Sequence, residues 1–473
     1  MELLRIHVIN QHTMVEPVQA CITKIANQYK LPPKEINRLN LAVEEAMVNV
    51  IDFGLTNESG QYFDVAIQVN GLEFDVVVCD KGIPGDFIAD DYDDKLGVSI
   101  MQHVLDQLVI KNLGFNGREQ HLIKYLSEVP KFEKREEEEH CELPKDVEFD
   151  IHPLRKEEAI EIARCIYDEF GFSYLSETVY YPEQFFDACQ RGQIYSLVAT
   201  APNGEIAGHL AATKLEHFEG MAEMGIGVVK KKYRKYSIMK KLTNKILEYS
   251  EKADDIRALM AEPVLYHPIT QKMCDYYGLV PCGMNLKYLT SDLKNTFSNE
   301  PNQRLSVGVG VKPFCKSEIH SLYIPNEVKE SVLKIYEKLD VEVKLNKSDN
   351  KLSEKSWITA QSNHRMKIGK IIIDEIGEDI EKQIKMAIID LKREKCEVIF
   401  MYINLFDKGA PKCYEASKQN GFFFTGCMPM SIKGDYLTME LFIDSVMDYD
   451  KLVIAPNFKD LYETVKGLDP DSI

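Results

Sequence analysis

The sequence predicts an α/β protein of the α+β kind, with one α/β sandwich followed by two mixed-sheet α/β modules. Three observations lead there. Strand-like apolar runs alternate with amphipathic helical stretches along most of the 473 residues. Two polar stretches interrupt the alternation, "KFEKREEEEHCELPKDVEF" (131–149) and "SDLKNTFSNEPNQRLSVG" (291–308). The first is a run of like charge that repels itself and stays solvated; the second has Asn and Pro in place of periodicity. Lastly, Gly278 and Gly283 in "DYYGLVPCGMNLKYL" are spaced as Gly421 and Gly426 in "KQNGFFFTGCMPMSI". Each pair follows a strand-like and then a helix-like run, which suggests two copies of one α/β unit. The expected organisation is a domain over 1–130, a linker over 131–146, a domain over 147–292, a linker over 293–304 and a domain over 305–473.

Composition narrows the partners. Acidic residues outnumber basic ones 75 to 57, for a formal charge of -18. That balance argues against a nucleic-acid coat or a membrane-surface binder, so neither nucleic acid nor membrane is expected as a partner. Any phosphate-bearing ligand must be held locally, at helix N-termini or short basic stretches. The eleven cysteines contain no C-x-x-C pair, which points to reduced thiols rather than a zinc ribbon or redox motif. "MELLRIHVIN" lacks the basic start and apolar run of a secretory signal, and no apolar run approaches the roughly 20 residues of a spanning helix. The expected compartment is the cytoplasm.

In the first segment, "LNLAVEEAMVNVIDFG" (39–54) reads as a helix with Leu39, Val43, Ala46, Val50 and Phe53 on one apolar stripe. Beside it run Leu41, Glu45, Asn49 and Asp52, so Glu45 and Asn49 share a face at i and i+4. A carboxylate and an amide oxygen so placed could orient a water and ligate Mg2+, a hard ion that takes oxygen ligands. The alternative is that both flank the buried stripe and face solvent. Two strand-like runs follow, "YFDVAIQVN" and "EFDVVVCD", the second leading into "DKGIPGDF" (80–87). Asp80 then stands at a sheet rim. Its carboxylate could accept from an exocyclic amine such as that of adenine, while the glycines let backbone approach the ring. "DDKLGVSIMQHVLDQL" (93–108) opens an amphipathic helix on a glycine, which suits phosphates, and "GREQHLIKYL" supplies a last strand.

These elements, in this order over essentially all of 1–127, resemble the GHKL ATPase superfamily and its anti-sigma-factor serine-kinase branch. The resemblance implies ATP and Mg2+ as ligands, Glu45 as catalytic base and Asn49 as magnesium ligand. It makes Asp80, Gly82 and Gly85 the adenine-contacting box and Gly97 the glycine of the lid helix. Two positions depart. Phe53 stands where the family has histidine, and Lys95 where the lid motif begins with glycine. The second change stiffens the lid but leaves an ammonium that could contact phosphate.

In the second segment, "EIAGHLAATKL" (205–215) and "MAEMGIGVV" (221–229) read as adjacent strands. They lead into "KKKYRKYSIMKK" (230–241), with seven basic residues in twelve positions, and then a helix with Ile238, Leu242, Ile246 and Tyr249 on its apolar face. A strand-to-helix junction offers unpaired N–H groups and a partial positive charge that suit a diphosphate. The alternative is a solvated basic face. "GVVKKKYRKYSIM" and "YYGLVPCGM" resemble the GNAT acetyltransferases, whose V-x-P-x-Y-R-x-x-G-x-G loop holds the pyrophosphate of acetyl-CoA on backbone amides. Val229, Tyr233 and Arg234 match. Lys231 replaces the proline, and Ser237 and Met239 replace both glycines. The resemblance places the coenzyme along Val229, Arg234, Lys235, Tyr236, Ser237, Ile238 and Met239, with Glu223 as general base. Cys274 stands where the family's general-acid tyrosine is expected.

In the third segment the equivalent strand, "KIGKIIID" (367–374), is followed by "DEIGEDIEKQ". Asp374, Glu375, Glu378 and Asp379 suit a helix start electrostatically but would repel a pyrophosphate. This copy is expected to be structural or partner-binding, packed against the middle one. The whole reads as a regulatory fusion that binds ATP and uses acetyl-CoA to acetylate an amine. The alternative is a non-catalytic, ATP-dependent partner-switching protein that holds a sigma factor or an anti-anti-sigma protein, with the GNAT-like lobes as scaffolding.

Overall fold

Alternating apolar residues build the first sheet, whose strands run in the spatial order β1-β2-β3-β5-β4, every pair antiparallel. The computed structural model describes residues 1–54, 61–82, 95–127, 144, 147–172, 174–290, 304–315, 318–347 and 351–472. The chain divides into two compact units, Met1–Glu139 and His140–Ile473. In the first, chain order is β1 (Glu2–Ile9), α1 (Val15–Gln28), α2 (Pro33–Asn49), β2 (Tyr62–Asn70), β3 (Glu73–Asp80), α3 (Lys95–Val104), β4 (Gln107–Asn112) and β5 (Arg118–Tyr125). Phe63, Val65, Ile67 and Val69 of β2, with Phe74, Val76 and Val78 of β3, point to one face, and the three helices cover it.

Two details differ from the sequence reading. Phe53, expected on the buried stripe, is 45% exposed, whereas Val50 and Ile51 are buried. The chain widens into a π turn over Val50–Gly54, and its extra residue rotates Phe53 off the inner face. The helix expected over 93–108 stops at Val104, and β4 begins three residues later. The cause is Asp106, which accepts from the Tyr125 amide at 2.7 Å and Lys124 Nζ at 2.9 Å and so ties the chain to β5.

Among the described residues, the second unit carries twelve strands in one continuous sheet. Its first half runs β6 (Asp150–Pro153), α4 (Ala159–Phe170), α5 (Pro182–Gln190), β7 (Ile194–Thr200), β8 (Ile206–Lys214), β9 (Met221–Val229), α6 (Ile238–Lys252), β10 (Ala258–Ala261), α7 (Ile269–Tyr276), β11 (Val280–Leu289) and β12 (Leu305–Pro313). Its second half runs β13 (His320–Leu322), α8 (Lys329–Leu339), β14 (Val343–Leu345), β15 (Trp357–Asn363), β16 (Ile368–Glu375), α9 (Ile380–Arg393), β17 (Val398–Asn404), α10 (Ala410–Gln419), β18 (Phe423–Met428), β19 (Tyr436–Phe442) and α11 (Lys459–Leu468). The spatial order β9-β10-β12-β11 is met, edge to edge, by β18-β19-β17-β16. The halves therefore repeat one topology about a pseudo-twofold axis, with β9 and β10 parallel as β16 and β17 are.

The repeated glycines have distinct uses. Gly278 and Gly421, at φ +71° and +89°, sit just past α7 and α10, where a left-handed residue ends a helix. Gly283 and Gly426 pair with each other where β11 meets β18. A Cβ on Gly426 would lie 2.4 Å from the Gly283 Cα, so the two halves can meet there only over glycine. β12, which the sequence placed at the head of a third domain, pairs instead with β10 and β11 and belongs to the first half. The linker residues 131–143, 145–146 and 293–303 lie outside the described residues.

Candidate functional site

In the first unit, Glu45 and Asn49 occupy the last turn of α2, which packs on β3, β5 and α3. Asn49 is 2% exposed and Glu45 half-buried, so the amide faces inward rather than into solvent. Asp52, next on that line, is bonded to His12 Nε2 at 2.8 Å. Asp80 ends β3 and is 4% exposed. Its Oδ2 accepts from Arg118 Nε at 3.1 Å and Nη2 at 2.7 Å, and its Oδ1 from the Gly82 amide at 3.0 Å. The carboxylate from which the sequence reading expected a contact to an adenine amine is thus bound to an arginine within the fold. Three of its about four lone-pair positions are filled, leaving one for an exocyclic amine. Gly117, at φ +90°, lets Arg118 reach this place, since a Cβ there would lie 2.0 Å from the Asp80 carbonyl oxygen. Gly97 is buried in the first turn of α3, Lys95 opens that helix, and Gly85 lies outside the described residues.

In the second unit the basic stretch is largely spent on internal carboxylates. Lys230 Nζ bonds Glu161 at 2.8 Å and Glu205 at 3.1 Å, Lys232 Nζ bonds Glu205 at 2.8 Å, and Arg234 Nη2 bonds Glu169 at 2.6 Å. Burial works against the Glu205 charge, but Lys232, Lys230 and the Tyr233 hydroxyl outweigh it and hold that carboxyl at about 2. Tyr233 and Tyr236 pack edge-on and tilted against Phe149, so their rings serve the core. Ile238 is buried beneath Gly208, Val229 and Met239 pack on the same core, and Lys235 lies over the Tyr236 ring. Met239 therefore turns inward, its Cε 3.3 Å from where a Gly227 Cβ would be.

The backbone keeps the shape that the replaced glycine implies. Ser237 stands at φ +54°, ψ +29°, a left-handed conformation costing a non-glycine residue about 1 kcal/mol. The first bond of α6 runs from Lys241 N to Ser237 O at 3.1 Å, so the amides of Ile238, Met239 and Lys240 precede the ladder. Such amides are where a helix receives an anion. The corresponding turn of the second half is closed. There Gly377 N donates to Ser356 Oγ at 2.9 Å, Glu378 N to Ser353 O at 2.8 Å, and Asp379 accepts from Ser356.

The strand leading into this turn is bent. β9 and β10 pair only through Glu223 and Met260, then separate. Three residues on, Ile226 takes φ +53°, an outlier for a β-branched residue, at a break in register with β8. It is held from both sides: its N–H donates to Tyr174 Oη and its carbonyl accepts from His209 Nδ1, both at 2.6 Å. Ser196 Oγ–H donates to His209 Nε2 at 2.6 Å, which fixes the neutral tautomer. Burial depresses His209 to about 4 from its ordinary 6.5. The unfolded chain therefore binds a proton that the folded one refuses, so stability falls as pH drops from 6.5 towards 4, by about 3 kcal/mol at most. Melting curves across that range should show the second unit losing stability in the wild type and losing less in His209→Gln.

Glu223 sits at the parting of the strands beside Glu262, which follows β10. Both keep some accessible surface, yet protein surrounds them. Burial raises Glu223, against the pull of Lys370. Burial and then Glu223 raise Glu262 to about 8, against Lys370 and Asn285, whose Nδ2 donates to it at 3.1 Å. Tyr174 and Tyr288 are raised by both carboxylates, and Tyr402 by burial and then Glu262. Lys370 on β16 and Tyr402 on β17 take, in the second half, the places of Glu223 and Glu262 in the first. The pseudo-twofold thus gathers both copies' residues at one spot. Cys274, by contrast, is buried against Gly310, its thiol pushed up to about 12. Tyr276, two positions on and far around α7, is 67% exposed.

Residues 10–119 match the family model of the histidine kinase-like ATPase domain. No curated protein matches the chain. Among solved structures, a dodecameric spermidine N-acetyltransferase from Vibrio cholerae is similar at 13% identity, covering 35% of this chain and 94% of its own, with a TM-score of 0.29. A ribosomal-protein-alanine acetyltransferase from Vibrio fischeri gives 15%, 36%, 95% and 0.29. A putative acetyltransferase from Acinetobacter baylyi gives 12%, 35%, 93% and 0.29. At that TM-score none of the three bears on what this chain does. Among the described residues no helix is long and apolar enough to cross a membrane.

Proposed function

We propose that the first unit binds ATP with Mg2+, and that the second unit transfers an acetyl group from acetyl-CoA to an amine. The observation that carries the transferase reading is the parting of β9 and β10 at Glu223, directly before a turn whose Ser237 keeps a glycine conformation. An extended, amide-bearing chain such as pantetheine fits an open strand edge, and the first amides of α6 suit its diphosphate. Glu223, made a stronger base by burial, would take the proton of the acceptor ammonium and free the nitrogen for the thioester carbonyl. The second half acts as a degenerate copy that lends Lys370 and Tyr402 to this place. In the first unit Asn49 would ligate Mg2+, which would shield the phosphate charge; Glu45 would orient water, Asp80 and Gly82 would meet adenine, and Lys95 and Gly97 would face phosphate.

Calorimetric titration with acetyl-CoA and with Mg-ATP tests both sites. Arg234→Glu should weaken acetyl-CoA binding by at least about tenfold and leave ATP unchanged, because reversed charge beside the turn repels diphosphate. Asn49→Ala should abolish magnesium-dependent ATP binding and leave acetyl-CoA unchanged. A wild-type chain that takes up no acetyl-CoA would end the transferase reading. A second reading then applies, favoured by the pairing of Lys230, Lys232 and Arg234 with carboxylates. In it the second unit is scaffolding, and the first holds a sigma factor or an anti-anti-sigma protein under ATP control.

A further inference from the structure

A cleft of about 650 Å3 in the second unit opens between α5, the ends of β7 and β8, and the loop that precedes α5, lined in part by Ser176, Thr178, Gln184, Asp187, Thr213 and Glu216. It adjoins Glu223. Thr213 on β8 is directly opposite Glu223 on β9, and residues so paired point to one face of the sheet with Cβ atoms about 5 Å apart. The loop gives a second link. A Cβ on Gly225 would lie 3.2 Å from Glu223 Oε1 and 3.7 Å from Tyr174 Oη, and Tyr174 stands two residues before Ser176.

The turn suited to the coenzyme diphosphate follows Val229, at the far end of β9. Glu223 and Val229 are separated by six steps of strand, at most about 20 Å. A coenzyme seated at that turn therefore reaches Glu223 from one end of β9. An acceptor must arrive from the other, where the cleft lies, and its volume is in the range of small-molecule sites.

The lining sets the chemistry. None of the six side chains named above is hydrogen-bonded to another described residue. Three hydroxyls and an amide both donate and accept, as the hydroxyls of a ligand do, and two carboxylates accept. Two cations also border the cleft, and both are engaged: Lys214 Nζ pairs with Asp255 at 2.5 Å, and Arg191 Nη2 donates to Gln193 Oε1 at 3.2 Å. Asp187 and Glu216 would repel an acceptor that carries a carboxylate, and Arg191 would oppose a polycation. A bare alkylamine would displace water from the six polar groups without replacing its bonds.

We infer that this cleft holds the acceptor, and that the acceptor is a hydroxyl-rich primary amine of amino-sugar size. The inference rests on the transferase reading. The hydroxyls of the acceptor replace water on the six side chains, and its ammonium reaches Glu223. One ammonium proton passes to Glu223, the nitrogen bonds to the thioester carbonyl carbon, the C–S bond breaks, and the proton shed by the new amide ends on the coenzyme sulfur.

Calorimetric titration of the full chain with glucosamine, galactosamine, cyclohexylamine and butane-1,4-diamine tests this. At least one amino sugar should bind at least about tenfold more tightly than cyclohexylamine and the diamine. Thr213→Val keeps the shape and removes a hydroxyl, and Asp187→Ala removes an acceptor from an exposed helix face. Each should weaken amino-sugar binding about fivefold and leave cyclohexylamine and acetyl-CoA unchanged, whereas a change of structure would move all three. The proposal fails if no amino sugar binds at about 10 mM, if cyclohexylamine or the diamine binds as tightly, or if both variants bind as the wild type does. Uptake of acetyl-CoA by the same chain is titrated separately. A chain that takes up acetyl-CoA and ignores amino sugars defeats this inference alone; a chain that takes up no acetyl-CoA defeats the transferase reading, and the acceptor role of the cleft with it.

Discussion

Glu223→Gln should lower the rate of acetyl transfer by at least about 100-fold while leaving the KM for acetyl-CoA within a factor of about two. Glutamine keeps the size and the hydrogen-bonding edge but cannot take a proton. The carboxyl is suited to that task because burial lifts it and Glu262 stands beside it. Two carboxylates so close share protons, so the pair rather than either residue should titrate, with an upper limb near 8 where Glu262 is placed. In Glu223→Gln that limb should move to lower pH, because the like charge is gone, while burial still holds Glu262 above the ordinary carboxylate range. Release of free thiol from acetyl-CoA, followed against pH with a panel of primary amines, reads both effects. An unchanged rate in the variant would place the base elsewhere.

Arg118→Met should destabilise the first unit by about 3–5 kcal/mol, the cost of leaving a buried carboxylate without its cation. Arg118 and Asp80 are 8% and 4% exposed and joined through two N–H groups. Solvent therefore screens the pair little. For a unit of this size the loss corresponds to a drop of about 10 °C or more in the transition that Mg-ATP protects. Calorimetry of the full chain separates this from the transition of the second unit, which should not move. Adding Asp80→Asn should restore part of the stability, because the amide leaves no buried charge without its cation. A single variant that melts like the wild type would mean that Asp80 is held by its amide partner alone.

The elements that local pattern controls were legible. β2, β3 and β9 have the bounds that their alternation implies, and the stripe from Leu39 to Val50 is buried as its spacing demands. What escaped was set by partners distant in the chain. Nothing near 230–241 announces that Glu161, Glu169 and Glu205 will pair with its cations, so it read as a ligand surface when much of it is an internal ion network. β12 looks like the start of something new because its partners precede an interruption in periodicity. Glu223 was visible as an acid in an apolar strand, and the Glu in "ALMAEPV" carries the same signal at Glu262. Lys370 and Tyr402 acquire meaning only once the two halves are superposed about Gly283 and Gly426.

That β12 lies between β10 and β11 limits how such a chain could have been shuffled. A crossover within 291–303, where the sequence invites a cut, would leave the first half with a slot between two strands and give the second half an orphan ribbon. Each half's strand order is complete only while β12 stays with β10 and β11, so neither half can be exchanged at that point without breaking the other.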